Sequence, residues 1–232
     1  MIYDERQPAP HTLAQSRNGR KEPPILRFFA AWRTPMLLLF ARYWPMAVLV
    51  GVALALRLVV WQWREFYPLG GDEQEYLGQA LTLLQEKRYV ELRLMRPPLY
   101  GLFLAGSIWL FDSLVQNLRL LQAVISAATV IPVWLLTAEL VNWYHLGRRA
   151  QRLLPGLAAL LCAAGYTLAA NATELLTETL FLFGLTTLFW LLVRTAARPQ
   201  RLIAGGAGVI LGMLCLTRAV ALPLLPLGAL WL

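Results

Sequence analysis

The chain has 232 residues, of which 58% are hydrophobic and only 15% are charged, and its mean hydropathy is +0.54. Soluble domains usually carry about 25% charged and about 45–50% apolar residues, so this composition excludes an ordinary soluble protein. The net charge of +8 does not indicate a nucleic-acid partner, because the basic residues lie in short loops and one tail, where membrane topology explains them. The sequence predicts an all-α fold, a polytopic transmembrane helical bundle.

The first 43 residues form a basic tail, with seven Lys or Arg residues against three acids. Its apolar stretch is interrupted by Arg33, Pro35 and Arg42, too often for a spanning helix. We therefore expect a helix that lies on the cytoplasmic membrane surface. The first span is predicted at 44–63, with tryptophans near both ends as interface anchors, and its Arg57 is expected to snorkel toward the interface.

An acidic cluster follows this span directly, in the stretch "PLGGDEQEYLGQA". Gly70 and Gly71 permit a tight turn, and a helix with an apolar stripe at helical spacing follows; the stripe consists of Leu77, Ala80, Leu81 and Leu84. The spacing predicts an amphipathic helix on the membrane surface. Two interpretations of Asp72 stay open from spacing alone: a helix cap in a capping box with Glu75, or a residue that performs chemistry.

The next segment joins a cation to a proline pair and a short apolar run. Arg96 stands beside Pro97 and Pro98, which favour extended backbone, and the apolar residues 99–111 follow. Thirteen residues are too few to cross a bilayer, so we expect a second helix in the outer interface. Residues 64–120 are thus predicted to form one long outer loop.

Later apolar runs predict spans at about 121–140, 153–170, 175–193 and 202–217, with another that begins at 219. Two connecting loops, "HLGRRAQR" and "RTAARPQR", each carry three arginines and no acid. The positive-inside rule places both loops and the N-terminus in the cytoplasm, and the acidic cluster outside. The expected location is the plasma or inner membrane.

No metal site is predicted from the spacing of metal-binding residues. Cys162 and Cys215 lie inside apolar runs, as small packing residues do, and His11 and His145 lie far apart on loops. No cofactor is certain, although an acid pair could hold a divalent cation.

Taken in order, several segments resemble the GT-C membrane glycosyltransferases of family 39, a set with protein O-mannosyltransferases, lipid A aminoarabinose transferases and RgtA/B/C/D-like proteins. The matching segments are "GGDEQEYLGQALTLLQEKRY", "RPPLYGLFLAGSIWLF", "LRLLQAVISAATVIPVWLLTAEL", "TELLTETLFLF" and "CLTRAV". The resemblance covers about residues 44–220. It implies a GT-C bundle with amphipathic juxtamembrane helices in the first outer loop. The chain departs from the family where many members have His-Pro or Lys-Pro, since Arg96-Pro97 stands there.

The resemblance also implies an inverting transfer of a hexosyl or pentosyl group from a polyprenyl-phosphate donor to an acceptor on the outer face, which could be a lipid, a protein or a polysaccharide. Asp72 is then the catalytic base and Glu178 the second acid, a position for which Glu174 is the competitor. The donor phosphate and the substrates would be bound by four further residues: Glu73, Tyr76, Arg96 and Arg218.

Two other function classes stay open. A polytopic transporter would also use charges within the membrane, but it predicts inverted repeats that the sequence does not display. Because the sequence stops at Leu232 inside an apolar run, a truncated fragment without activity is the other alternative.

Overall fold

A computed structural model of the chain describes residues 24–64, 67–89, 96–111 and 115–231, with side chains from Tyr43 onward. The chain divides into two compact units, Met1–Arg42 and Tyr43–Leu232, and the second contains all the candidate site residues. Most of the predicted basic tail, residues 1–23, lies outside the described residues.

The described residues are helical and contain no strand. The helices, in chain order, are α1 (Pro24–Trp63), α2 (Gly71–Glu86), α3 (Leu99–Phe111), α4 (Val115–Ala128), α5 (Val130–Trp143), α6 (Arg148–Ala164), α7 (Tyr166–Asn171), α8 (Glu178–Ala197), α9 (Arg201–Thr217) and α10 (Leu224–Trp231). A short 3₁₀ turn at Ala219–Ala221 joins α9 to α10.

Three helical stretches among the described residues are long and apolar enough to cross a membrane: Tyr43–Trp63, Val115–Trp143 and Glu178–Ala197. They confirm the predicted membrane character of the chain and correspond to the spans expected at 44–63, 121–140 and 175–193. The described residues therefore provide three such stretches and not the five complete spans that the sequence predicted.

The other two predicted spans correspond to shorter helices, for different reasons. The run at 153–170 is divided because Gly165, with φ −63° and ψ 102°, ends α6 before α7 begins. The run at 202–217 forms α9, whose 17 residues extend about 26 Å at 1.5 Å per residue, less than the apolar thickness of about 30 Å. Length thus separates α9 from the three longer stretches, whereas α6 is both shorter and more polar, since Arg148, Arg149 and Arg152 lie in its first turns.

The two helices predicted in the first outer loop are both present, and they pack on each other. Ala80 of α2 and Tyr100 and Leu104 of α3 are fully buried in one cluster, and Leu77 and Leu84 pack against it. The apolar stripe of α2 is therefore covered largely by protein, whereas the sequence predicted that it would face the membrane. Leu81 alone of that stripe is exposed.

α3 keeps an apolar surface of its own that no other described element covers. Trp109, Leu110 and Phe111, at its C-terminal end, are between 60% and 78% exposed. A patch of this kind on a 13-residue helix supports the expectation that α3 lies in a membrane interface.

The expectation that Arg57 snorkels toward the interface is wrong, because its side chain is completely buried. It donates hydrogen bonds to Ser126 Oγ at 2.8 Å and to the carbonyl oxygens of Ala53, Cys162 and Ala163 at 3.0–3.3 Å. Two of these carbonyls lack helical partners because α6 ends at Gly165. Arg57 thus supplies hydrogen-bond donors to backbone carbonyl oxygens at the break between α6 and α7.

We expect residues 64–120 to lie on the outer side of the membrane and the α5–α6 connection inside. A single cysteine at Gln85 should react with an impermeant maleimide added to intact cells, and one at Gln151 should react only after the membrane is opened. Both positions are exposed in the structure, so burial does not limit either probe. Labelling of Gln151 in intact cells would contradict this topology.

Candidate active site

The start of α2 fixes the acidic cluster, and it does so differently from the predicted capping box of Asp72 and Glu75. The N-cap is Gly70, whose backbone N–H donates to Glu73 Oε2 at 2.7 Å. Glu73 therefore closes the box from the third helical position, as capping-box acids do. The capping interpretation of Asp72 is wrong, and its side chain stays 69% exposed.

Arg96 connects this helix start to the segment before α3. Its Nη2 lies 2.7 Å from Asp72 Oδ1 and 2.7 Å from Glu75 Oε2, and its guanidinium stacks on the Tyr76 ring, 4.6 Å from the centroid. Burial would lower the pKa of Arg96, but Tyr76 and the two carboxylates outweigh it and the net shift is upward. Arg96 thus stays positively charged and holds two acids at once.

The Tyr76 ring lies between the Arg96 guanidinium and the core cluster that contains Tyr100. Burial raises its pKa, which the Arg96 charge and a hydrogen bond with Thr177 only partly offset. Its ring meets that of Tyr100 edge to face at 4.9 Å, and burial raises the pKa of Tyr100 well above its ordinary value. Both phenols therefore stay neutral and do not act as bases near pH 7.

The second ion pair comes from two other helix ends. Glu178 is the first residue of α8, and Arg218 follows the last residue of α9 with extended backbone. Arg218 Nη1 donates to Glu178 Oε1 at 2.9 Å, and each side chain is about one third exposed. An acid at a helix N-terminus and a cation at a C-terminus both suit the helix dipoles.

Asp72, Arg96, Glu178 and Arg218 line one cavity of about 280 Å³, although they come from four separate parts of the chain. Its wall also contains Tyr76, Pro97 and Thr177. The resemblance assigned all four residues to one active site, and the structure brings them together around one cavity. Their chemical roles stay predictions.

A second polar cavity, of about 500 Å³, lies next to the first and shares Asp72 and Leu176 with it. Arg64 Nη1 lies 2.8 Å from Glu174 Oε1 at its wall. Glu174, the competitor for the position of the second acid, therefore lies beside Asp72 in this cavity, whereas Glu178 lines the first.

Glu73 has a different environment from the other predicted site residues. It lines the second cavity, but its side chain is only 7% exposed and lies 3.1 Å from Arg119 Nη2. Arg119 is not among the site residues predicted from the sequence. The available signal was an arginine inside an apolar run, "LRLLQAVISAA", which ordinarily needs a partner.

Among the described residues, no group of three or more His, Cys, Asp or Glu side chains is arranged to hold a metal ion. Asp72 and Glu178 line the same cavity, but each faces an arginine. The arrangement suits binding of an anion by two arginines, and proton transfer by the exposed carboxylate of Asp72.

No protein-family model, no curated protein and no solved structure matches this chain.

Proposed function

We propose that the chain is a membrane glycosyltransferase of the GT-C type, which moves a sugar from a polyprenyl-phosphate donor to an acceptor hydroxyl. The observation that carries this proposal is the cavity in which Asp72, Arg96, Glu178 and Arg218 meet. It combines an exposed carboxylate with two arginines, at the ends of helices in a chain with membrane-spanning character. This combination is what transfer from a lipid phosphate requires.

Asp72 is the proposed general base. Its carboxylate takes the proton of the acceptor hydroxyl while the acceptor oxygen bonds to the anomeric carbon and the bond from that carbon to the phosphate oxygen breaks. The electron pair of the broken bond stays on the polyprenyl phosphate. One base acting opposite the leaving group inverts the anomeric centre, and the chemistry then needs no carboxylate nucleophile.

Arg218 and Arg96 are the proposed partners of the leaving phosphate. Arginine presents five N–H donors, and only one nitrogen of Arg218, Nη1, donates to Glu178 in the structure. A phosphate can thus be added to the pair without breaking it. Fixed cations of this kind stabilise the charge that grows on the leaving group.

Asp72 lines both cavities, which supports the binding of the donor in one cavity and of the acceptor in the other. The cavity with Arg96 and Arg218 suits the donor phosphate. The larger cavity, bordered by Arg64 and Glu174, suits a hydroxyl-bearing acceptor, and both cavities open onto Asp72. A base at this boundary reaches the acceptor while the sugar lies on the opposite side.

The donor-binding role of Arg218 predicts a measurable loss. Arg218→Met should lower kcat/KM for the donor by about 10–100-fold, because charge-assisted hydrogen bonds are worth about 1.5–3 kcal/mol. Arg194→Met is the matched control: it removes the Glu139–Arg194 pair, also partly buried, from the other end of α8. Equal donor kinetics in the Arg218 variant and the wild type would contradict the role.

The proposed function is tested with membranes that carry the complete chain and polyprenyl-phosphate sugars labelled in the sugar. A glycosyltransferase moves the label into a new covalent product. A transporter would move the labelled lipid or sugar across the membrane without a new bond, and an inactive fragment would do neither. Label that stays on the donor with every sugar and acceptor fraction would overturn the proposal.

A further inference from the structure

A buried ion pair joins Glu73 of α2 to Arg119 of α4, in the wall of the second cavity. Glu73 Oε1 and Arg119 Nη2 lie 3.1 Å apart, and the side chains are only 7% and 4% exposed. Burying two charges costs several kcal/mol per ion, so such a pair is a poor source of stability compared with apolar packing. Its place in the fold therefore suggests another use.

Both oxygens of Glu73 are engaged by other parts of the chain. Oε1 also accepts a hydrogen bond from the backbone N–H of Leu175 at 2.8 Å, and Oε2 accepts one from Gly70 at 2.7 Å. Arg119 Nη1 donates to the carbonyl of Tyr67 at 3.2 Å. The pair thus connects the segment after the first span, the start of α2, helix α4 and the segment before α8.

This connection involves the two acids of the proposed site. Glu73 is the residue after Asp72, and Leu175 precedes Glu178 by three positions. The bond from Leu175 to Glu73 therefore joins the segment that carries Asp72 to the segment that carries Glu178. Arg119 contacts the same oxygen of Glu73, Oε1, and so keeps the carboxylate in position to accept the hydrogen bond from Leu175.

We propose that Glu73 and Arg119 are positioning residues, which set the distance between Asp72 and the Glu178–Arg218 pair and do not themselves bind substrate. The catalytic part of this inference rests on the proposed function. The geometric part does not, because a carboxylate that is 93% covered and engaged through both oxygens has little room for a substrate.

Two variants separate positioning from folding. Glu73→Gln leaves Arg119 buried without its counter-charge and is expected to fold poorly. Glu73→Gln combined with Arg119→Met removes both charges at similar volume, so no buried charge is left uncompensated and the loss of stability should be much smaller than in the single variant. Glu86→Gln is the control, since Glu86 lies on the same helix in an exposed pair with Arg88.

The first readout needs no activity. Spin labels at Gln85 of α2 and Leu202 of α9, in a background with both native cysteines replaced by alanine, report the distance between these helices. We expect the double variant to fold, with its melting temperature close to wild type, and to give a clearly broader distance distribution. A distribution as narrow as in wild type and the Glu86→Gln control would overturn the positioning role.

The second readout is the split between kcat and KM of the complete chain. Misplacement by about 1 Å can cost about 100-fold in rate, so kcat of the double variant should fall by about 10–100-fold while KM for the donor stays within about twofold. An unchanged kcat, or a loss confined to KM, would overturn the inference. A wild-type chain without transfer activity would instead overturn the proposed function, and the distance measurement would still decide the geometric part.

Discussion

Replacement of Asp72 by asparagine should lower the rate of sugar transfer by about 10²–10⁴-fold, the usual contribution of a general base. Asparagine keeps the shape of the side chain and a hydrogen-bond acceptor for Arg96, but it cannot accept the acceptor's proton. The fold should change little, because the cap of α2 is formed by Gly70 and Glu73 and because exposed ion pairs contribute only about 0–1 kcal/mol. The measurement is the initial rate in membranes that contain equal amounts of each protein.

The control for this variant has to be chosen from the structure. Glu75→Gln, one helical turn away, is not a clean control because Glu75 also contacts Arg96. Glu86→Gln is cleaner, since Glu86 lies at the far end of α2, its side chain is 52% exposed and it pairs with Arg88. Transfer by Asp72→Asn at the rate of the Glu86→Gln protein would exclude Asp72 as the base.

Replacement of Arg57 by methionine should unfold or strongly destabilise the bundle. The change leaves buried acceptors at the α6–α7 break without their donor, and each such group costs about 1–3 kcal/mol. A loss of about 3–5 kcal/mol corresponds to a fall of about 10 °C or more in the melting temperature of a chain of this size. The measurement is thermal unfolding of the purified protein in detergent.

Arg57→Lys distinguishes this role from snorkelling, which the sequence suggested. A snorkelling arginine tolerates lysine, because only a charged end group at the interface is needed. A lysine ammonium cannot reproduce the planar fork, which reaches Ser126 and three carbonyl oxygens at once. We therefore expect Arg57→Lys to melt well below wild type, with Arg88→Met, at an exposed position, as the neutral control. A melting temperature of Arg57→Lys within about 2 °C of wild type would contradict the role.

Features set by local sequence could be predicted closely. α3 occupies 99–111 as expected, because a proline pair precedes an uninterrupted apolar run. Glu178 opens α8 and Arg218 follows α9, where the apolar runs begin and end. The resemblance assigned Asp72, Arg96, Glu178 and Arg218 to one site, and they line one cavity.

Features set by contacts between distant segments could not be predicted. Glu73 lies outside the apolar stripe predicted for α2, and its partners Arg119 and Leu175 are 46 and 102 residues away. The true role of Arg57 could not be predicted, because the carbonyl oxygens of Cys162 and Ala163 are free to accept its hydrogen bonds only since α6 ends before Gly165. The division of 153–170 depends on that same glycine, within a run whose composition alone favoured one helix.

The most direct test of the central claim is the fate of the donor lipid, followed by mass spectrometry of membranes that carry the complete chain. Wild type should release one polyprenyl phosphate for each sugar that appears on the acceptor, and Asp72→Asn should leave the donor intact over the same period. Donor that stays intact with the wild type as well, or polyprenyl phosphate released equally by both proteins, would contradict the claim that this chain transfers sugar with Asp72 as its base.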